Sequence, residues 1–246
     1  MKRNKPREFF LFFPAAVLLA GSFFLARFVF SGLTASGSFT VTDILAKEDN
    51  AAQFEYLKGR SIFGIDISRE SAYLAKVYPQ YRTIEIYKMF PGTLFIDFLR
   101  RTPIAAIKLP QGYYCVDENL IVFEAPLQLE KENLPVITGL EKRMSALAVG
   151  HRYESLELKL AVAIIQEIKN SESLRKITIK EIDVSQSGYV SLLSPDVPEV
   201  RFSRGFIGDK IKIFAGLCNQ TTGELQSIDY IDLRFQEPVL KYKNAR

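Results

Sequence analysis

Few residues in this sequence have the type and spacing to do chemistry. His151 is the single histidine in 246 residues. A multi-histidine metal site is therefore excluded, and a Ser-His-Asp triad would depend on this residue alone. It stands beside Arg152 just ahead of a helical pattern, where a solvated surface histidine is expected. Ser173-Leu174-Arg175-Lys176 satisfies Ser-x-x-Lys, the pattern in which penicillin-binding enzymes carry their serine nucleophile. A membrane-anchored or secreted cell-envelope hydrolase with Ser173 and Lys176 as nucleophile and base is thus the alternative function. Its companion Lys-Thr-Gly is missing. Asp229 and Asp232 lie three apart, on opposite faces of any strand, and make a poor acid–base pair. Gly205-Phe206-Ile207-Gly208 fits the Gly-x-x-Gly of nucleic-acid-binding KH loops, but it has no basic surround and reads as a loop before a helix. No catalytic centre, cofactor site or metal site emerges. Function is expected to lie in contact surfaces, with neither nucleic acid nor a small-molecule substrate.

The element that must position those surfaces comes first in the chain. Phe9 to Ala26 is eighteen residues without a charge, and about 20 helical residues cross a hydrocarbon core of roughly 30 Å. A transmembrane helix is expected over residues 9–30, with Arg27 able to snorkel to the interface. Lys2, Arg3, Lys5 and Arg7 oppose only Glu8. The positive-inside tendency keeps residues 1–8 in the cytoplasm and sends the rest out, a single-pass arrangement in the cell (inner) membrane. A cleaved signal peptide fits less well, because the apolar run is long and Thr34-Ala35-Ser36 is a poor cleavage site. Of the formal charge of +4, the first eight residues carry +3 and Arg27 one more. Residues 28–246 are therefore neutral overall, and the basic balance belongs to the membrane flank. Cys115 and Cys218 would face a compartment that permits a disulfide, though two buried thiols are equally compatible.

Beyond the anchor the pattern is α+β. Residues 31–38 are small and polar, as in a flexible tether. Residues 39–107 read as β-α-α-β-β. A strand over Phe39 to Leu45 and a short helix over Asn50 to Leu57 lead to a helix over Ile67 to Tyr78, capped by Asp66 or Ser68, with Leu74, Val77 and Tyr78 in one stripe. A hairpin then places Phe90-Pro91-Gly92-Thr93 in a type II turn and aligns Leu94, Ile96 and Phe98 on one face. Residues 108–246 form a β-rich domain with helices near Tyr153–Lys169 and Gly208–Cys218. Strands are expected over Lys176–Val184, Tyr189–Leu193, Val200–Ser203, Ile228–Phe235 and Val239–Lys243. In the last hairpin, Ile231, Leu233 and Phe235 should point inward, with Tyr230, Asp232 and Arg234 on the other face. Val239–Lys243 would end the sheet and leave open backbone groups that can accept a partner strand. Lys241 and Lys243 are also residues that protect an edge from pairing, and on residue types alone protection is the favoured role.

Six segments in order carry a resemblance to a known family: Leu57-Lys58-Gly59 with Ile62 to Asp66, Pro91-Gly92-Thr93-Leu94-Phe95-Ile96, Arg101-Thr102-Pro103-Ile104-Ala105, Tyr114-Cys115-Val116-Asp117, Leu134 to Gly139, and Tyr230-Ile231-Asp232-Leu233-Arg234. With the preceding anchor they resemble the bacterial cell-division proteins FtsQ and DivIB. Arg100 departs from the family pattern, which has Glu there. The resemblance implies that residues 39–107 form a POTRA domain and that 108–246 are the family's β domain. It implies a non-enzymatic divisome scaffold at the septum, linking early and late division proteins by binding the bitopic FtsB and FtsL. Tyr230, Arg234, Phe235, Val239, Leu240, Lys241 and Tyr242 would frame that contact. The implication reverses the balance on the last strand, from a protected edge to a docking edge. Of the two POTRA edges, the sequence chooses neither; Arg82 and Lys88 on the second strand are expected to be solvated charges.

Overall fold

The uncharged run folds as a single long helix. In the computed structural model, which describes residues 9–35, 37–46, 51–125, 133–144, 147–220 and 225–243, α1 spans Phe9–Ala35. The 27 residues measure about 40 Å at the helical rise. The helix runs on through Ser31–Ala35, where a flexible tether was expected. Serine hydroxyls that would compete with the backbone are absorbed within it: Ser31 Oγ donates to the Phe28 carbonyl and Ser22 Oγ to Leu19, both at 2.9 Å. Leu18, Phe24 and Phe28 stand exposed along it. The burial of α1 residues is described for 16–29, 31 and 32, and among the described residues no helix is long and apolar enough to cross a membrane.

The chain divides into two compact units, one being residues 1–77 with 81–99 and the other 78–80 with 100–246. In the first unit, β1 (Asp43–Ala46), a 3-10 segment (Ala51–Leu57), α2 (Ile67–Val77), β2 (Tyr81–Met89) and β3 (Thr93–Arg100) follow in order. The expected β-α-α-β-β succession is present, with a 3-10 segment as its first helix. Their sheet has the order β1-β3-β2, with β1 parallel to β3. Leu94, Ile96 and Phe98 of β3 are buried as expected and join Phe54, Leu57, Leu74 and Ile86 in the core. The Asp66 cap is present, accepting from the Arg69 amide at 3.1 Å. The helix stripe is narrower than expected: Leu74 is buried, whereas Val77 is exposed. β1 begins at Asp43 because Gly37–Phe39 form a 3-10 turn. The hairpin turn also differs. The Phe90–Pro91 bond is cis, and Gly92 is not among the glycines with positive φ. Glycine is needed there for space, since a Cβ would sit 2.4 Å from the Thr40 carbonyl oxygen.

The second unit is a nine-stranded sheet with the order β12-β11-β10-β9-β8-β7-β4-β5-β6. Its strands are β4 (Ala105–Leu109), β5 (Gly112–Val116), β6 (Val122–Glu124), β7 (Val136–Thr138), β8 (Glu181–Asp183), β9 (Val190–Leu193), β10 (Glu199–Phe202), β11 (Ile228–Asp232) and β12 (Val239–Tyr242). The helices are α3 (Leu156–Asn170) and α4 (Ile207–Gln220). β4, which straddles the 107/108 division drawn from the sequence, pairs only within this sheet. One in-register row explains its cohesion. Ile107, Ile137, Ile182, Leu192, Val200, Ile231 and Leu240 are successive cross-strand neighbours on seven strands. All but Leu240 are fully buried, in a core shared with Leu158, Ile164 and Ile168 of α3 and with Ile211 and Phe214 of α4. Because strand side chains alternate, the neighbouring row must face the other way. There Thr138, Asp183, Ser191, Arg201 and Asp232 are partners across the same strands. The sheet thus has one apolar face under α3 and α4 and one polar face.

Candidate functional site

The polar face near β12 carries the most organised side-chain cluster among the described residues. It begins with alternation in Glu199-Val200-Arg201-Phe202, which sends Val200 and Phe202 into the core and Glu199 and Arg201 to the other side. Arg201 Nε and Nη2 donate to the two Glu199 oxygens at 2.9 Å each, a bidentate pair. Ser191 Oγ donates to Glu199 Oε1 at 2.6 Å. The Arg201 guanidinium lies 3.8 Å from the Tyr230 ring centre and 5.2 Å from that of Tyr189. Arg234 stacks over Tyr189 at 5.2 Å and over Phe235 at 5.4 Å. Lys241 reaches the Tyr230 ring at 5.3 Å and Asp229 at 3.2 Å. Cations and aromatic rings therefore alternate in the order Arg234, Tyr189, Arg201, Tyr230, Lys241, each contact favourable through the ring quadrupole.

Each cation also has its own carboxylate. Asp232 takes the Arg234 side chain at 2.7 Å and the Arg234 backbone amide at 3.0 Å. Burial alone would raise the Asp232 pKa, but the hydrogen bonds and charge of Arg234 outweigh it and the net shift is downward. The Arg201 hydrogen bond is the main cause that lowers Glu199, against its desolvation. With Asp229 on Lys241, three positive charges meet three negative ones. The platform is neutral overall, and its ion pairs and ring contacts brace one another and hold the side chains in place.

The sequence-selected residues lie in and beside this ladder. Tyr230 and Lys241 are cross-strand partners, and Arg234 is the ladder's outer cation. Val239, Lys241 and Tyr242 are exposed on β12, whereas Leu240 is half-buried against the core. Phe235 was expected inward and is 56% exposed. The cause is that β11 stops at Asp232, so alternation no longer holds at Phe235; Lys210 of α4 donates to the Phe235 carbonyl. Asp232 is buried although it lies on the outer face, because Arg234 covers it. Among the described strands β12 is an edge, as expected, and it pairs with β11. Lys241 on β12 and Lys243 just beyond it both make contacts within the same unit. Lys241 pairs with Asp229 of β11, and Lys243 donates to the Gln226 carbonyl at 2.9 Å. Sequence reasoning missed Tyr189, Ser191, Glu199 and Arg201. Only the alternation of Glu199 and Arg201 signalled them, and the strand order that brings them beside Tyr230 is not local information.

The other candidates come apart. Ser173 and Lys176 are both exposed in the turn after α3, and Ser173 Oγ accepts from Asn219 Nδ2 at 3.4 Å. His151 is exposed. Asp229 and Asp232 serve different cations. Cys115 is buried and Cys218 half-buried, and burial pushes the Cys218 thiol up to about 11. No group of three or more His, Cys, Asp or Glu that could hold a metal occurs among the described residues.

Residues 105–234, which comprise β4 to β11 and both helices of the sheet domain, match the family model for the C-terminal region of cell-division protein FtsQ/DivIB. The chain belongs to the FtsQ/DivIB family. It is similar to the cell-division protein FtsQ of Geobacter sp. strain M21, with 27% identity over 186 residues, 75% of this chain and 66% of that protein. FtsQ of Geotalea daltonii is 25% identical over 192 residues, again 66% of its length. FtsQ of Anaeromyxobacter sp. strain K is 28% identical over 153 residues and 51% of its length. The FtsQ/DivIB match ends at Arg234, so it includes every member of the ladder except Lys241 and stops short of β12.

Proposed function

We propose that this protein is a membrane-anchored, non-enzymatic scaffold of the bacterial division machinery, which captures FtsB- and FtsL-like bitopic proteins on β12. The observation that carries this reading is the open edge of β12, flanked by the braced cation–aromatic ladder and by exposed Phe235, Val239 and Tyr242. A partner strand added there gains main-chain hydrogen bonds from the edge, and the exposed side chains supply specificity. The ladder stiffens the strand pair that receives it, which lowers the ordering cost of binding. The membership in a cell-division family supports the setting. The first unit, with its β1-β3-β2 sheet and α2, acts as a POTRA-like second contact module.

The anchor reading rests on the sequence of α1 and on its length of about 40 Å, enough for the hydrocarbon core and part of an interface. Holding partners in one membrane at the septum raises their effective concentration without new chemistry.

Co-purification tests the edge. Val239→Asp combined with Tyr242→Ala is expected to cut recovery of FtsB/FtsL-like partners at least about tenfold, as for loss of a hot spot. Removing residues 239–246 should abolish it. Capture unchanged by both variants sinks the edge reading, provided circular dichroism shows that each is folded.

A further inference from the structure

Three phenylalanines outside the sheet domain serve no core. Phe39, Phe63 and Phe90 pack ring against ring, with centroids 5.2 Å apart for Phe39–Phe63, 5.3 Å for Phe63–Phe90 and 6.4 Å for Phe39–Phe90. Phe63 remains 38% exposed and Phe90 59%, and Met89 beside them is half exposed. Left in water, such a surface forgoes the stabilisation that burying its apolar area would give.

The chain itself says what lies next to this cluster. Phe39 is the fourth residue after the end of α1, so even a fully extended chain would keep it within about 14 Å of that end. The segment that follows is stitched to the other two rings' neighbours. Thr40 bridges Ser61, Val41 donates to the Arg60 carbonyl at 2.9 Å, and Thr42 donates to the Gly92 carbonyl at 2.8 Å. The close approach of Thr40 to Gly92, which leaves no room for a Cβ, holds the hairpin tip carrying Phe90 against a segment that begins five residues beyond α1.

From this placement we infer that Phe39, Phe63 and Phe90 form an aromatic foot that inserts into the outer interface of the bilayer crossed by α1. Phenylalanine, with leucine and tryptophan, forms the apolar face of segments that lie in the membrane interface, and the foot would fix how the first unit stands on the membrane. The inference rests on the anchor reading above.

The protein contains no tryptophan, so Phe23→Trp, Phe63→Trp and Phe90→Trp each give a full-length chain with a single indole. Each is reconstituted into phosphatidylethanolamine/phosphatidylglycerol vesicles, with and without bromine at shallow acyl positions. Quenching of all three indoles by the brominated lipid, with blue-shifted emission at 63 and 90, is expected. Quenching at 23 with unchanged emission at 63 and 90 overturns the foot and leaves the anchor standing. Unchanged emission at all three positions overturns both.

Discussion

At the scale of single residues, the ladder beside β12 depends on carboxylates that stay ionised. Asp232 and Glu199 are both held below their ordinary pKa in the folded protein. A depressed carboxylate contributes stability that is present above its unfolded pKa of about 4 and is lost as pH falls through the folded value. Stability measured by urea unfolding should therefore be level near neutrality and decline below about pH 4. Asp232→Asn should cost roughly 1–3 kcal/mol at pH 7, since it leaves Arg234 short of its charged partner, and should flatten the acid decline. A variant with an unaltered pH profile contradicts the assignment. Glycines give a sharper contrast. Gly139 has φ +89° and a Cβ there would lie 2.3 Å from the Ser185 amide nitrogen, so Gly139→Ala should lose more than about 1 kcal/mol. In α4, Gly216 has open space around it, and Gly216→Ala should gain up to about 1 kcal/mol by removing unfolded-chain freedom. Thermal unfolding of the two variants in opposite directions is the expected result.

At the scale of elements, α3 is held by its inner face. Ile164 is fully buried, and Ile164→Ala should cost about 2–5 kcal/mol; Leu156, half exposed at the first turn, should cost much less when truncated to alanine. Equal losses in denaturant midpoint would contradict this orientation. α3 was also readable in advance, because Leu156, Leu160, Ile164 and Ile168 recur at helical spacing; the last three are buried, whereas Leu156 at the first turn is exposed, and the Ser155 cap, accepting from the Leu158 amide, was not foreseen. The return strand with Leu94, Ile96 and Phe98 was equally plain from its alternation. β7 was not legible. Three residues, Val136 to Thr138, are too few to show a period, yet their parallel pairing joins β4 to β8. Phe235 was assigned to the wrong face for a related reason: alternation gives a face only while the strand lasts, and β11 ends three residues earlier. For the candidate site, the β12 side was visible in the sequence. Its other half, Tyr189, Ser191, Glu199 and Arg201, depends on parallel pairing of β10 with β11 across the intervening α4.

At the scale of the whole molecule, the chain divides into two units, the first of which opens with the 27-residue helix α1, and its family works in cell division. The account's central claim is that β12 receives a strand from a bitopic division protein. Hydrogen exchange on the reconstituted complex, read by mass spectrometry over residues 225–243, addresses it most directly. The proposal predicts that amides of Val239–Tyr242 on the open side become protected when an FtsB/FtsL-like partner binds, while α3 exchanges as before. A complex that forms with exchange in β12 unchanged would contradict it.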